Sequence, residues 1–313
     1  MRIGLTLATR SPQWWPQGAS YAADFTSDRY MRNGSEIAAD QAYTLTRAST
    51  KYAADANGNF QLFSVNEPAR TARGLSVEAA TINMLTEPVR LDNWITVMAD
   101  ATRLTGTELG IFTQPTLVTD TGANVVSRLR HPPDQSATAG ETVAISYWFR
   151  PGNSGSVLLF ANGNGASSRL VLDLPSGTVT SSSNSRGEMV VDELVEHVPG
   201  FYCVLVRWTP NFSAPCEVGI GPGTSEAGDT IVALGAFMEP GFKHTGPVVG
   251  FSLPSNRASD NVTLHLPSTP QNLTVTFDDM SVQEVLSVSI DYVIPTNLQR
   301  AVIRSIVGIT AGS

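Results

Sequence analysis

The segment Ile145-Ser146-Tyr147-Trp148-Phe149-Arg150 holds the residue types best suited to gripping a sugar. A pyranose has an apolar face that an aromatic ring can cover. Its hydroxyls are met by amides, carboxylates or guanidinium groups. In a strand, successive side chains point to opposite faces. Ile145, Tyr147 and Phe149 therefore share one face, and Ser146, Trp148 and Arg150 share the other. With the first set in a core, Trp148 and Arg150 stand outward together, a ring beside a cation, suited to an acidic polysaccharide. The competing reading packs Trp148 inward or into an interface and exposes Tyr147. A second apolar run ends in Arg207-Trp208. Its two last residues face opposite ways, so only one of them joins the same surface. Asn162, Asn164 and Arg169 would add hydrogen bonds at a rim, or form a plain turn.

Catalytic patterns are weak by comparison. The sequence has no Gly-x-Ser-x-Gly elbow, no Walker loop and no His-Glu-x-x-His. Gly219-Ile220-Gly221-Pro222-Gly223 lacks the trailing Lys-Ser/Thr of a phosphate cradle. His131, His197, His244 and His265 are scattered and read as surface or core residues. Asp278-Asp279 sits in a turn sequence, and neighbours on a strand would face opposite ways, unlike the paired carboxylates of a glycosidase. Asp173, Glu188, Asp192, Glu193 and Glu239 carry no pattern that singles them out. The expectation is a protein without catalytic residues, cofactor or metal.

The chain has 313 residues and a formal charge of −8, with 15% charged residues. That length accommodates two or three domains. The negative balance gives no footprint for nucleic acid or for an anionic membrane surface. No run approaches the roughly 20 apolar residues of a membrane span. Met1–Ala8 is too short an apolar run for a secretion signal, so synthesis in the cytosol is expected. Cys203 and Cys216 make no disulfide framework or metal quartet. Whether they bridge is left open by the sequence.

Short apolar runs punctuated by Gly, Pro and Asn recur along the chain and imply an all-β protein. Ile3, Leu5 and Leu7 alternate as in a strand. The Pro-bounded Trp14-Trp15 pair either docks against another protein, where aromatics dominate interface energy, or tucks against its own core. Asn57-Gly58 marks a turn. Arg47, Arg70 and Glu78 read as ion-pairing residues that fix an extended arm. Between residues 88 and 245 the spacing of strands and turns predicts an antiparallel β-sandwich. The expected division is 1–87, 88–245 and 246–313.

An ordered series of short motifs resembles phage-like particle proteins. Arg47-Ala48-Ser49, Asp55-Ala56-Asn57-Gly58, Asn66–Arg70, Gly74–Glu78 and Thr81–Leu85 are similar to the junction that precedes sugar-binding jelly rolls in those proteins. Ser146–Gly152, Asp173–Val179, Gly200–Val204 and Gly235–Gly241 resemble the jelly-roll modules themselves. Cys203 departs from the pattern, standing where such modules usually carry Arg. Arg257-Ala258-x-Asp260, Val275–Gln283 and Tyr292–Leu298 are similar to a small terminal β domain. The resemblance implies a head spike of a gene transfer agent, or a head or tail fibre of a related phage. A central jelly roll would sit between an N-terminal anchoring region and a small C-terminal β domain. Its implied partners are host capsular or surface polysaccharide, other spike, capsid or tail proteins, and copies of itself. It would act on the particle surface. A purely structural fibre or collar protein, and a polysaccharide depolymerase, are the alternatives.

Overall fold

The computed structural model describes residues 13–55, 57–122, 127–133, 135–163, 166–242, 244–249 and 255–311. The strand expected around Ile3–Leu7, and Asn164, lie outside them. Among the described residues, helix is confined to Ala39–Ala42 and a 3-10 turn at Leu91–Asn93. No helix there is long and apolar enough to cross a membrane.

The chain divides into two compact units, and each draws on discontinuous segments. One comprises the described parts of Met1–Thr46, Asn66–Val77 and Asp260–Ser313; the other is Arg47–Val65 with Glu78–Ser259. This differs from three consecutive regions. In the first unit, Tyr21–Asp24 lies antiparallel beside Val302–Thr310, so both ends of the chain share one sheet. Its core gathers Tyr21, Phe25, Leu75, Val275, Phe277 and Ile306. The alternation in Gln271–Phe277 buries Leu273, Val275 and Phe277, and the hairpin that follows turns at Asp278–Ser281. Asp279 accepts from the backbone N–H and hydroxyl of Ser281 (2.9 and 2.6 Å), while Asp278 pairs with Arg73 and Arg300.

Eight strands organise the second unit: β1 Thr116–Asp120, β2 Arg128–Arg130, β3 Val143–Pro151, β4 Ser156–Gly163, β5 Ala166–Asp173, β6 Phe201–Thr209, β7 Ala214–Pro222 and β8 Thr230–Pro240. One sheet runs β1-β8-β3-β6 and the other β2-β7-β4-β5, all antiparallel, with additional strands at their edges. Strands early in the chain pair with strands late in it, and the partners alternate between sheets. That order is the jelly roll. The core between the sheets takes Ile145, Tyr147 and Phe149 from β3, Leu159 from β4, Trp208 from β6 and Ile220 from β7. The expected alternation of β3 is therefore present, with Tyr147 inward.

Turn chemistry fixes the strand ends. Asp173 accepts from the Ser176 backbone N–H (2.9 Å) and hydroxyl (2.5 Å), and its carbonyl accepts from the N–H of Gly177 (2.9 Å). Gly177 has φ +65, a conformation that costs glycine nothing. Asp173–Val179, one of the jelly-roll-like motifs, is thus a self-capped turn between β5 and Thr178–Asn184.

Candidate functional site

The outer face of the β1-β8-β3-β6 sheet is not an open sugar platform. Trp148 does stand opposite Tyr147, yet it is only 6% exposed. A second cluster covers that face, containing Phe60, Leu109, Ile111, Phe112, Cys203 and Phe237. The Trp148 ring lies 5.5 Å from Phe60, 5.4 Å from Phe112 and 5.1 Å from His197. His197 in turn stacks on Phe60 and meets the carbonyl of Gly58 at 2.9 Å. Alternation predicts which face a side chain takes, not whether distant segments (here those around Phe60 and Phe112) fold across it. The expected outward pairing of Trp148 with Arg150 is corrected accordingly. Arg150 is held by Glu108, with nitrogens 2.8 and 3.0 Å from its oxygens. Ser146 is 8% exposed on the same covered face. Trp208 is fully buried between the sheets, and its indole donates to the Arg186 carbonyl at 3.1 Å. Arg207 takes the other face, paired with Asp192 at 2.6 Å.

The two cysteines are buried and form no disulfide. Cys203 belongs to the covering cluster and Cys216 to the core between the sheets, so no bridge joins them. Burial pushes the Cys203 thiol pKa well up.

The outer face of the β2-β7-β4-β5 sheet has different chemistry. Leu129, Val218, Ile220, Leu159, Ala161, Leu170 and Leu172 point into the core. Period-two alternation therefore places Arg128 and Arg130 of β2, Glu217, Gly219 and Gly221 of β7, Phe160 and Asn162 of β4, and Arg169 of β5 on the opposite face. Register aligns Arg130, Gly219, Phe160 and Arg169 in one row across four strands. Ser183 of the adjoining strand extends the row beyond Arg169.

Glycine is needed at the centre of this row. A Cβ on Gly219 would sit 2.9 Å from the Leu129 carbonyl oxygen and 3.2 Å from the Arg130 Cβ. The bare backbone lets neighbouring side chains lie across the sheet. The Arg128 guanidinium rests 4.1 Å from the centre of the Phe160 ring, a cation–π contact. Glu217, 7% exposed, forms an ion pair with Arg130 and accepts from the Asn162 amide at 2.9 Å. Burial, then the charge of Arg130, lowers the pKa of Arg128 from the ordinary arginine value. Arg169 is exposed and makes no ion pair among the described residues. Asn162 thus lies in a strand rather than in the expected turn, and it shares this face with Arg169.

Sequence reasoning passed over Arg128, Arg130, Glu217 and Phe160. The signal was present. Arg128-Leu129-Arg130 alternates around one apolar residue, and Glu217-Val218-Gly219-Ile220-Gly221 alternates apolar with bare or polar positions. That stretch is a strand with a bare outer face, not a glycine loop.

The second unit also holds a buried ionic centre. Glu78 Oε2 is 3.1 Å from Lys51 Nζ and 2.7 Å from Arg257 Nη1. Glu78 also accepts from the Gly246 N–H at 2.9 Å. Burial favours its neutral form, but Lys51 and Arg257 outweigh burial and hold its pKa down at about 2. Nearby Glu239 has the opposite balance: burial lifts its pKa to about 7, although Thr245 donates to it twice. Arg47, 2% exposed, donates to the carbonyls of Ser49 and Ser64 at 2.8 Å each. Ser49 Oγ accepts from the Ala258 N–H at 2.9 Å. The expected ion-pairing role of Glu78 is met, with Lys51 and Arg257 as partners. Arg70 pairs with Asp28 at 2.9 Å.

Trp14 and Trp15 meet edge to face at 5.5 Å and are half-buried. The Trp14 indole donates to Glu36 at 2.8 Å, beside Arg29. No set of three or more His, Cys, Asp or Glu among the described residues is arranged to hold a metal ion.

No family model matches the chain, and no curated protein does. Among solved structures, a carbohydrate-binding module described for specific mannan recognition is similar at 12% identity. The match covers 52% of this chain and 96% of the module, with a TM-score of 0.27. A superposition of that quality decides neither fold nor ligand, and the jelly-roll assignment rests on strand order alone.

Proposed function

We propose that this chain is a non-enzymatic surface component of a phage-like particle, and that it attaches the particle to host surface polysaccharide through the β2-β7-β4-β5 face. The observation that carries the binding site is the row Arg130-Gly219-Phe160-Arg169 with Asn162 and Glu217 beside it. It offers guanidinium planes, an amide and a carboxylate on a rigid sheet, which is what recognition of many hydroxyls requires. On this face Phe160 is itself buried beneath Arg128, so the polar groups rather than the ring meet the sugar; the opposite sheet is covered by the apolar cluster around Trp148.

Support for the particle setting comes from the ordered motifs. Several of their members, the buried Arg47, Glu78 and Arg257 and the half-buried Ser49, tie the second unit together. The resemblance is therefore carried by scaffold residues, while the sugar face is free to differ. The Trp14-Trp15 pair is the reading's contact for neighbouring particle proteins. Weak single-site affinity would be offset by display of many copies on one particle.

The test is a pull-down of purified host surface polysaccharide with the wild-type chain and with Arg130→Ala/Arg169→Ala. Retention by the wild type and loss in the double variant is the expected result. Equal retention by both removes this face from the account, and shortening of the polysaccharide during incubation would make the chain an enzyme.

A further inference from the structure

Three guanidinium groups share the proposed face, against one carboxylate. Arg128 lies over Phe160, Arg130 pairs with Glu217, and Arg169 has no ion-pair partner among the described residues. This local excess of positive charge stands on a chain whose formal charge is −8. Two further atoms are informative. Arg130 Nε is a buried donor and Asn162 Oδ1 a buried acceptor, and neither has a hydrogen-bond partner. Both side chains are held by the same Glu217 oxygen. An unmade bond at a buried polar atom is costly, so a small turn of either side chain onto a ligand recovers free energy.

We infer that this face takes an anionic sugar unit, seated between Arg130 and Arg169 with one of its hydroxyls on Asn162. The inference rests on the polysaccharide reading above and narrows it to a charge class. The unmet needs of the face match that class. Arg169 lacks an anion, Arg130 Nε lacks an acceptor, and Asn162 Oδ1 lacks a donor. A sugar bearing a carboxylate or a sulfate supplies an anion and hydroxyl donors from one rigid ring. A neutral sugar leaves Arg169 unmatched. A plain polyanion without hydroxyls leaves Asn162 unmatched. Arg130 and Arg169 are three strand spacings apart, about 14 Å, so their guanidinium groups can flank the unit rather than crowd one oxygen. Planar forks suit carboxylate or sulfate oxygens better than an ammonium does.

The experiment is equilibrium binding of the full chain to polygalacturonate, to its methyl-esterified form, to dextran sulfate and to dextran at fixed ionic strength. Binding to one of the two anionic polymers is expected, and which of them binds identifies the anion. Where it is polygalacturonate, methyl esterification should abolish binding; dextran should not bind. Arg169→Ala should cost about tenfold or more, the loss of a charge-assisted hydrogen bond. Arg169→Lys should recover only part of that. Asn162→Ala should cost about fivefold, the loss of one neutral hydrogen bond; no change there means adsorption by charge alone and overturns the seated unit. Dextran or the methyl ester binding as tightly as the anionic polymers overturns the charge class but leaves the polysaccharide face standing, provided Asn162→Ala weakens it. Binding to none of the four polymers while host polysaccharide is still retained in the pull-down overturns the charge class alone; loss of that retention as well overturns the polysaccharide face.

Discussion

Replacing Trp148 with alanine separates a structural indole from a ligand-binding one. The ring is 6% exposed and packs against Phe60, Phe112 and His197 at 5.1–5.5 Å. Truncating a buried tryptophan costs about 3–5 kcal/mol. Its indole N–H is buried without a partner, and removing that group returns about 1–3 kcal/mol. The net expectation is a loss of about 2 kcal/mol, against the 5–15 kcal/mol that typically holds a domain together. Trp148→Phe keeps most of the packing and drops the unmet donor, so it should lie within about 1 kcal/mol of wild type. Urea unfolding of the second unit measures both. Glycan affinity, taken at a temperature where each variant is folded, should be unchanged. A Trp148→Ala protein that unfolds with the wild type yet no longer binds polysaccharide would refute the covered-face reasoning.

Glu78→Gln removes the buried negative charge that both Lys51 and Arg257 meet and should cost about 3–5 kcal/mol by chemical denaturation. Because the folded pKa of Glu78 lies near 2, below its ordinary 4.5, its contribution is present above pH 4.5 and lost as the pH falls towards 2. Glu239 works in the other direction: with a folded pKa of about 7, its contribution is present below pH 4.5 and about 3 kcal/mol is lost as the pH rises through 7. Glu239→Gln should flatten that upper slope in a stability-versus-pH series. Thiol titration of the native chain should find Cys203 and Cys216 unreactive, and unfolding without reductant should expose two thiols. Gly219→Val should displace Arg130 and weaken polysaccharide binding, an effect read as a change in affinity at unchanged secondary structure.

Local patterns were legible where the physics is local. The alternation of Ile145, Tyr147 and Phe149, the turns at Asn57-Gly58 and Pro175-Ser176-Gly177, and the hairpin at Asp278-Asp279 all depend on neighbouring residues. So does the all-β character. What stayed hidden depends on residues far apart in sequence. The pairing of Tyr21–Asp24 with Val302–Thr310 leaves no trace in either segment, which is why the ends of the chain read as separate regions. Trp148 read as exposed because its cover comes from segments around Phe60 and Phe112. The arginine face went unread for a related reason. Arg128 and Arg130 gain meaning only beside Glu217, Gly219 and Phe160, which come from other strands.

A crystal structure of the chain soaked with oligosaccharides from host surface polysaccharide tests the central claim most directly. Sugar should lie across Arg130, Gly219, Phe160 and Arg169, with a ring hydroxyl on Asn162. Sugar bound anywhere else, with that row left bare, would contradict the account.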